Sequence, residues 1–274
     1  MSPLPLTTGA QPGHNRWPSE PTVDGRFNAA EFSNIARFEE TFWWYRGMRS
    51  ILLRFMRPYV SRRPIVRALE AGCGTGYFSR LLQTEEHMPV MPLDLSGEGL
   101  RYGVAMGLER ASQGSILELP FASGTFDLAM SFDVLQQFER GAERRALAEL
   151  ARVLARGGLL ALRASACEAL RSRHSDFVCE RQRFTRPRLR AVAEECGIRV
   201  LRCTYANTLL APVALAKFRL WEPLTRKPAE TGIQPAPPWL NRLLYLPLAW
   251  EAAWVGAGHD LPAGQSLLLI GEKI

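Results

Sequence analysis

The chain predicts an α/β fold in which a mostly parallel sheet carries helices on both faces. Three observations lead there. Apolar runs at Val66–Leu69, Pro89–Leu95, Phe126–Ser131 and Leu159–Ala164 alternate with segments of helical period, and parallel strands joined through helices require right-handed crossovers of that length. The first run ends in Glu70 and passes through a turn with glycines at 72, 74 and 76 into a helix carrying Phe78, Leu81 and Leu82. Glycines let the backbone approach a ligand closely, and the helix behind them offers free N–H groups. The second run ends in Asp94, about 20 residues beyond the turn, where α/β nucleotide folds hold ribose hydroxyls because a carboxylate accepts two O–H bonds at once.

In chain order, residues 1–25 hold five prolines and little to bury, and are expected to be a flexible tail. Residues 26–63 read as a helical cap with helices at Phe27–Phe42 and Met48–Tyr59, the second spacing Met48, Ile51, Leu52, Phe55, Met56 and Tyr59 along one face. Between them Phe42, Trp43, Trp44 and Tyr45 cannot all face one way, so some contact a second surface. They either clasp the core or touch a ligand, which makes Tyr45 and the adjoining Arg46 candidates for acceptor contact. Residues 64–274 form the main domain, with cap-like segments at 165–185 and 209–258. The helix carrying Leu147, Leu150, Ala151 and Leu154 should stop at Gly157 and Gly158. A helix at Pro187–Cys196, a strand at Ile198–Tyr205, helices at Leu209–Trp221 and Leu240–Val255 around a proline-rich loop, and a closing strand at Ser266–Gly271 complete the pattern.

Composition narrows the class. At 274 residues and 47% hydrophobic, the chain can bury one full core. The most apolar stretches are broken by Pro247 and Glu251 and by Pro212 and Lys217, so no membrane span is expected, and the N-terminus lacks the pattern of an export signal. Five scattered cysteines without a CxxC argue against a disulfide framework and against a metal centre, and place the chain in a reducing cytoplasm. The net charge of +7 invites a nucleic-acid partner. Its basic residues are nearly all arginine, with lysine only at 217, 227 and 273, a bias that reflects coding composition more than a phosphate-binding face; a nucleic-acid partner is therefore disfavoured.

The turn itself excludes two ligand classes. A dinucleotide site would carry a third glycine where Tyr77 stands, and no phosphate loop with its lysine occurs anywhere. EAGCGTG at 70–76, the strand-end Asp94, SILELPF at 115–121, TFDLAMSFDVLQQF at 125–138 and RVLARGG at 152–158 follow in the order of the class I S-adenosylmethionine-dependent methyltransferases. The chain resembles that family, of the bacterial type 11 kind, over roughly residues 40–272. The resemblance implies a Rossmann-like seven-stranded sheet whose last strand runs antiparallel, and S-adenosylmethionine as cofactor. It implies that Gly72, Gly74 and Gly76 pass beneath the methionine part of the cofactor, that Glu70 helps hold its ammonium, that Asp94 takes the ribose hydroxyls, that Leu95 packs on adenine, and that Asp133 and Val134 line the sulfonium side. Ser115 and Ile116 fall at the adenine-amino position. A serine there departs from the family's aspartate and accepts without charge assistance. Gln136 and Gln137 replace a common Glu-His, and Arg156 a common proline.

A narrower likeness is to a bacterial subgroup with His-Asp and a later His-x-Arg-Arg-Tyr-Thr in the segment over the acceptor pocket. Here His174 and Arg183 match, while Ser175, Glu180, Gln182 and Phe184 do not. His174 is the expected general base and Arg183 a substrate contact. The motifs of nucleobase methyltransferases are missing after the fourth strand, so the expected activity is methyl transfer to a small molecule, of natural-product type, by in-line displacement. Two alternatives stand beside it: a non-methylating cyclase or isomerase that keeps the cofactor pocket, and an RNA-directed methyltransferase. Nothing in the sequence indicates an oligomeric state.

Overall fold

The computed structural model describes residues 28, 30–225, 231, 233 and 236–274; the expected tail at 1–25 and most of the proline-rich loop lie outside the described residues. A seven-stranded sheet runs in the order β3-β2-β1-β4-β5-β7-β6. Its strands are β1 (Ala68–Ala71), β2 (Val90–Asp94), β3 (Ser112–Gln113), β4 (Phe126–Phe132), β5 (Leu154–Ser165), β6 (Ile198–Ala206) and β7 (Ser266–Lys273). The pairs β1–β2, β1–β4, β2–β3 and β4–β5 are parallel, while β7 lies antiparallel between β5 and β6.

Both faces of the sheet are covered, which is why its strands read as continuous apolar runs. Along β5 and β7, Leu160, Leu162, Leu267 and Leu269 enter one core, and Leu159, Ala161, Leu268 and Ile270 enter the other. The period of two splits one run between two cores. The first core holds α5 (Glu143–Val153) and α7 (Arg186–Glu195); the second holds α2 (Trp43–Val60) and α10 (Pro238–Gly256). α2 and α10 pack so closely that a Cβ at Gly47 would sit 2.3 Å from Leu248 Cδ1. Among the described residues no helix is long and apolar enough to cross a membrane.

Several boundaries differ from the sequence reading, each for a local reason. Val66 lies outside β1 and is exposed, because its N–H and that of Arg67 bond the Asp127 carboxylate instead of a strand. The helix before β5 ends at Val153, and Gly157, at φ +77°, turns within a long strand instead of ending the helix. The first helix is the shorter α1 (Ala30–Phe38). The aromatic run is the first turn of α2 and not a linker, with Phe42 at its N-cap. α3 (Tyr77–Thr84) follows the glycine turn as expected, α4 (Gly97–Ala105) is a helix that Ser96 caps, and β3 appears where no strand was anticipated. In the segment over the sheet, α6 (Arg173–Phe177) forms because Ser172 and Ser175 make reciprocal capping bonds. The expected helix at 209–221 is α8 (Ala211–Ala216), a π-helical turn (Lys217–Trp221) and α9 (Glu222–Thr225).

Candidate active site

The strand order reverses between β1 and β4, and the C-terminal ends of β1, β2 and β4 open there into a cavity of about 1330 Å³, a topological position that favours ligands in open α/β sheets. Its floor is the glycine turn. The N–H groups of Gly72 and Cys73 both donate to Leu93 O, at 2.7 and 3.0 Å, which locks the turn to β2. Gly72 adopts φ +81°, and a Cβ there would meet Val134 Cγ2 at 2.1 Å. Only glycine satisfies both constraints. From the other side α4 approaches backbone to backbone, a Cβ on Gly103 falling 2.3 Å from Thr75 O.

Asp94 ties this floor together. Its Oδ2 accepts from Gly74 N at 2.6 Å and its Oδ1 from Ser96 N at 2.8 Å, while Ser96 caps α4. Asp94 lines the cavity, and a carboxylate oxygen accepts more than one hydrogen bond, so a group that fixes the turn can also accept ligand hydroxyls. Next to it Leu95, Gly114, Ser115 and Ile116 line the cavity. Ser115 Oγ accepts from Leu117 N at 3.1 Å. Gly72 and Gly74 line the cavity with Cys73 and Thr75, whereas Gly76 is not among its lining residues: the space over it is taken by Leu108, whose Cδ2 lies 2.6 Å from the Cβ that Gly76 lacks.

Two buried acids concentrate charge at the turn. Glu70, at the end of β1, accepts from Ser79 Oγ, and burial pushes its pKa up to about 7 against that bond, with Asp94 and Glu39 adding to the rise. Glu39, which the sequence did not single out, reaches in from the end of α1. Its Oε2 accepts from Thr75 Oγ1 at 2.6 Å, its Oε1 is buried without a hydrogen-bond partner, and burial raises its pKa to about 7 as well. A buried carboxylate oxygen lacking a donor costs free energy until a cation or N–H meets it. The donor set therefore fits a ligand with an ammonium or sulfonium at this end and ribose hydroxyls at Asp94.

The far side of the cavity is built by the cap. Asp133, at φ +59°, pairs with Arg163 of β5, whose Nε lies 2.9 Å from Asp133 Oδ1 and whose guanidinium carbon lies 5.2 Å from the centroid of the Trp44 ring. This stack joins the cap to the strand ends. Tyr45 packs edge-on to Trp44, faces the cavity, and has its phenol pushed up by burial and by Glu31 and Glu39. Arg46 departs from its expected place: its guanidinium sits 4.5 Å over the Tyr245 ring and the residue is not among those lining the cavity.

His174, on α6, lines the cavity with its side chain 41% exposed, and its Nδ1 lies 3.9 Å from Glu31 Oε1. Burial, then Lys217 and Arg183, lower its pKa to about 4 against the pull of Asp133, so the imidazole is neutral at pH 7. Glu31 is itself buried, accepts from Asn34 and Thr231, and is shifted upward by burial. Arg183 lines the cavity but is already engaged: it donates to Ala166 O and Ser175 Oγ, both at 3.0 Å, and pairs with Glu180 at 2.6 Å. Its geometry is that of a strut under α6. Glu31, Glu39 and Arg163 were not singled out from the sequence; Glu31 and Glu39 lie eight residues apart with Ile35 midway, a spacing that puts all three on one inward side of α1 and the turn that follows it, and this was the available signal.

Residues 69–162 match a methyltransferase domain family. Among curated proteins, a malonyl-acyl-carrier-protein O-methyltransferase of Erwinia billingiae is 32% identical over 138 residues, 50% of this chain and 53% of that protein. The chain spans about half or less of the length of the curated relatives it matches. Among solved structures, a SAM-dependent methyltransferase from Archaeoglobus fulgidus is 17% identical with a TM-score of 0.53, covering 86% of this chain and 98% of that one. The 4+2 cyclase SpnF is 17% identical with a TM-score of 0.56, covering 89% and 92%. At these identities the structural likenesses speak to the fold.

Proposed function

We propose that this chain, whose residues 69–162 match a methyltransferase domain family, is a class I S-adenosylmethionine-dependent methyltransferase that transfers a methyl group from S-adenosylmethionine to a small, partly apolar acceptor. One observation carries the reading: a single cavity runs from the glycine turn and Asp94 to His174 and Tyr45. Its volume exceeds the roughly 300–1,000 Å³ of a single-ligand pocket, which leaves room for cofactor and acceptor together. When bound, the cofactor supplies a methyl group on a cationic sulfur that leaves as a neutral thioether, so no acid is needed for the leaving group.

The chain's own residues bind, align and exclude water. Glu39 and Glu70 face the cationic end and Asp94 the ribose. Leu95, Ser115 and Ile116 border the base. Trp43, Leu170, Val178, Leu210, Phe218 and Leu244 supply an apolar wall around the acceptor. His174 is neutral and takes the acceptor's proton when the acceptor carries one. A base with a pKa near 4 matches a more acidic acceptor proton, such as that of an enol or a phenol, better than that of an aliphatic alcohol, and a carboxylate acceptor needs no base. The name of the curated relatives, O-methyltransferases, agrees with an oxygen acceptor. The reading is tested by following label from methyl-labelled cofactor into a panel of such acceptors. His174→Ala should lower turnover of a protonated acceptor by about a hundredfold or more and leave cofactor affinity nearly unchanged. A cyclase or isomerase on this fold, for which the uncharged Ser115 in the place of the resembled family's aspartate speaks, would instead convert its substrate with no transfer of label.

A further inference from the structure

α10 is apolar on two opposite faces. Leu248, Ala252 and Val255 are buried against the sheet and α2, yet Trp239, Leu243, Leu246, Trp250 and Trp254 are all substantially exposed. At about 100° per residue these five fall within an arc of about 90° on the helix surface. Trp250 and Trp254 stack there, centroids 5.1 Å apart. Beside the same cavity, α8, the π-helical turn and α9, together the lid, expose Val213, Leu215, Leu220, Trp221 and Leu224. So large an exposed apolar surface on a folded chain marks an interaction site.

Its charges select the partner. Arg242 is exposed on α10, Arg54 lies against Gly256 at the C-terminal end of the helix, and Lys217 and Arg219 are exposed on the lid. Among the described residues of 211–225 and 236–256 no acidic residue is exposed: Glu222 is half-buried, and Glu251 is buried and bonds the N–H groups of Thr208 and Leu209. Two copies pairing face to face would oppose like charges. Tryptophan and leucine rimmed by arginine and lysine suit an anionic bilayer, where amphipathic rings settle at the headgroup level and basic side chains meet lipid phosphates.

We infer that the exposed face of α10 and the adjoining lid dock on the surface of an anionic membrane. The docking stands on this surface alone. Its further consequence, that an acceptor with an apolar tail enters the cavity from the bilayer past Val213, Trp221 and Leu240, which all line that cavity, rests on the methyl-transfer reading.

The test uses the full chain with vesicles of mixed phosphatidylglycerol and phosphatidylcholine, against vesicles of phosphatidylcholine alone. The protein should float with the anionic vesicles, its tryptophan emission should shift to the blue, and brominated lipid should quench it. The variant Trp239→Ser/Leu246→Ser/Trp250→Ser, whose folding is checked by circular dichroism, should lose about tenfold or more of the partition. Arg242→Glu should weaken binding to anionic vesicles and leave the phosphatidylcholine control unchanged. Absence of vesicle binding would overturn the inference, as would equal binding by the triple variant. So would a dimer in sedimentation velocity that the triple variant dissolves, which would assign the face to a second copy. Because vesicle binding needs neither cofactor nor turnover, it can fail while methyl transfer holds, and the reverse.

Discussion

Glu39 and Glu70 hold pKa values near 7 because burial at the glycine turn penalises their charged forms. An acid raised in the folded state and ordinary in the unfolded one binds more protons when folded. Its contribution to stability is therefore complete below about pH 4.5 and declines as pH rises through about 7. The ligand-free protein should accordingly lose thermal stability between about pH 5 and pH 8, and S-adenosylhomocysteine, whose ammonium needs the carboxylate forms, should bind more tightly over the same interval. Titration calorimetry in buffers of different ionisation enthalpy should show protons released on binding, and Glu39→Gln should reduce that release. An affinity that is flat with pH would remove these two acids from the cationic end. At this scale Glu70 and Asp94 were legible, because a strand end and a fixed spacing place them. Glu39 was not, since it reaches the turn from a separate helix 31 residues upstream of Glu70, and only tertiary packing unites the two.

Among the elements, the extent of α4 and the existence of β3 were the least legible in the sequence. Gly97, Gly99 and Gly103 make α4 look like a loop, and β3 is two residues long. Gly99 and Gly103 are there because α4 must pack against the backbone of Gly74 and Thr75. Gly103→Ala should thus destabilise the protein by about 1–3 kcal/mol through overpacking and weaken cofactor binding with it, as thermal melts with and without S-adenosylhomocysteine would report; an unchanged melt would show that the contact yields. The linkage at Trp44, Arg163 and Asp133 is of the same kind. Arg163→Met leaves Asp133 beside the cavity without its cation, and the expected result is lower turnover at nearly unchanged cofactor affinity, measured by single-turnover kinetics and calorimetry.

For the whole molecule, the sheet was the most legible feature. Runs that are apolar on both faces, alternating with helices of ordinary length, leave few topologies; the antiparallel β7 came from resemblance to a family, not from period. The acceptor side was least legible. α6 exists through a pair of serines, the lid bends through a π-helical turn, and α10 turns tryptophans outward, none of which a helical period distinguishes from sheet cover. We propose that the turn at Gly72–Thr75 and Asp94 form the cofactor half of one cavity, and His174 part of the acceptor half. Calorimetric titration of S-adenosylhomocysteine into the wild type, Asp94→Ala and His174→Ala tests it most directly. Loss of charge-assisted bonds at Asp94 should weaken binding about tenfold to a hundredfold, with His174→Ala close to wild type; equal affinities for wild type and Asp94→Ala, or no binding to the wild type, would contradict it.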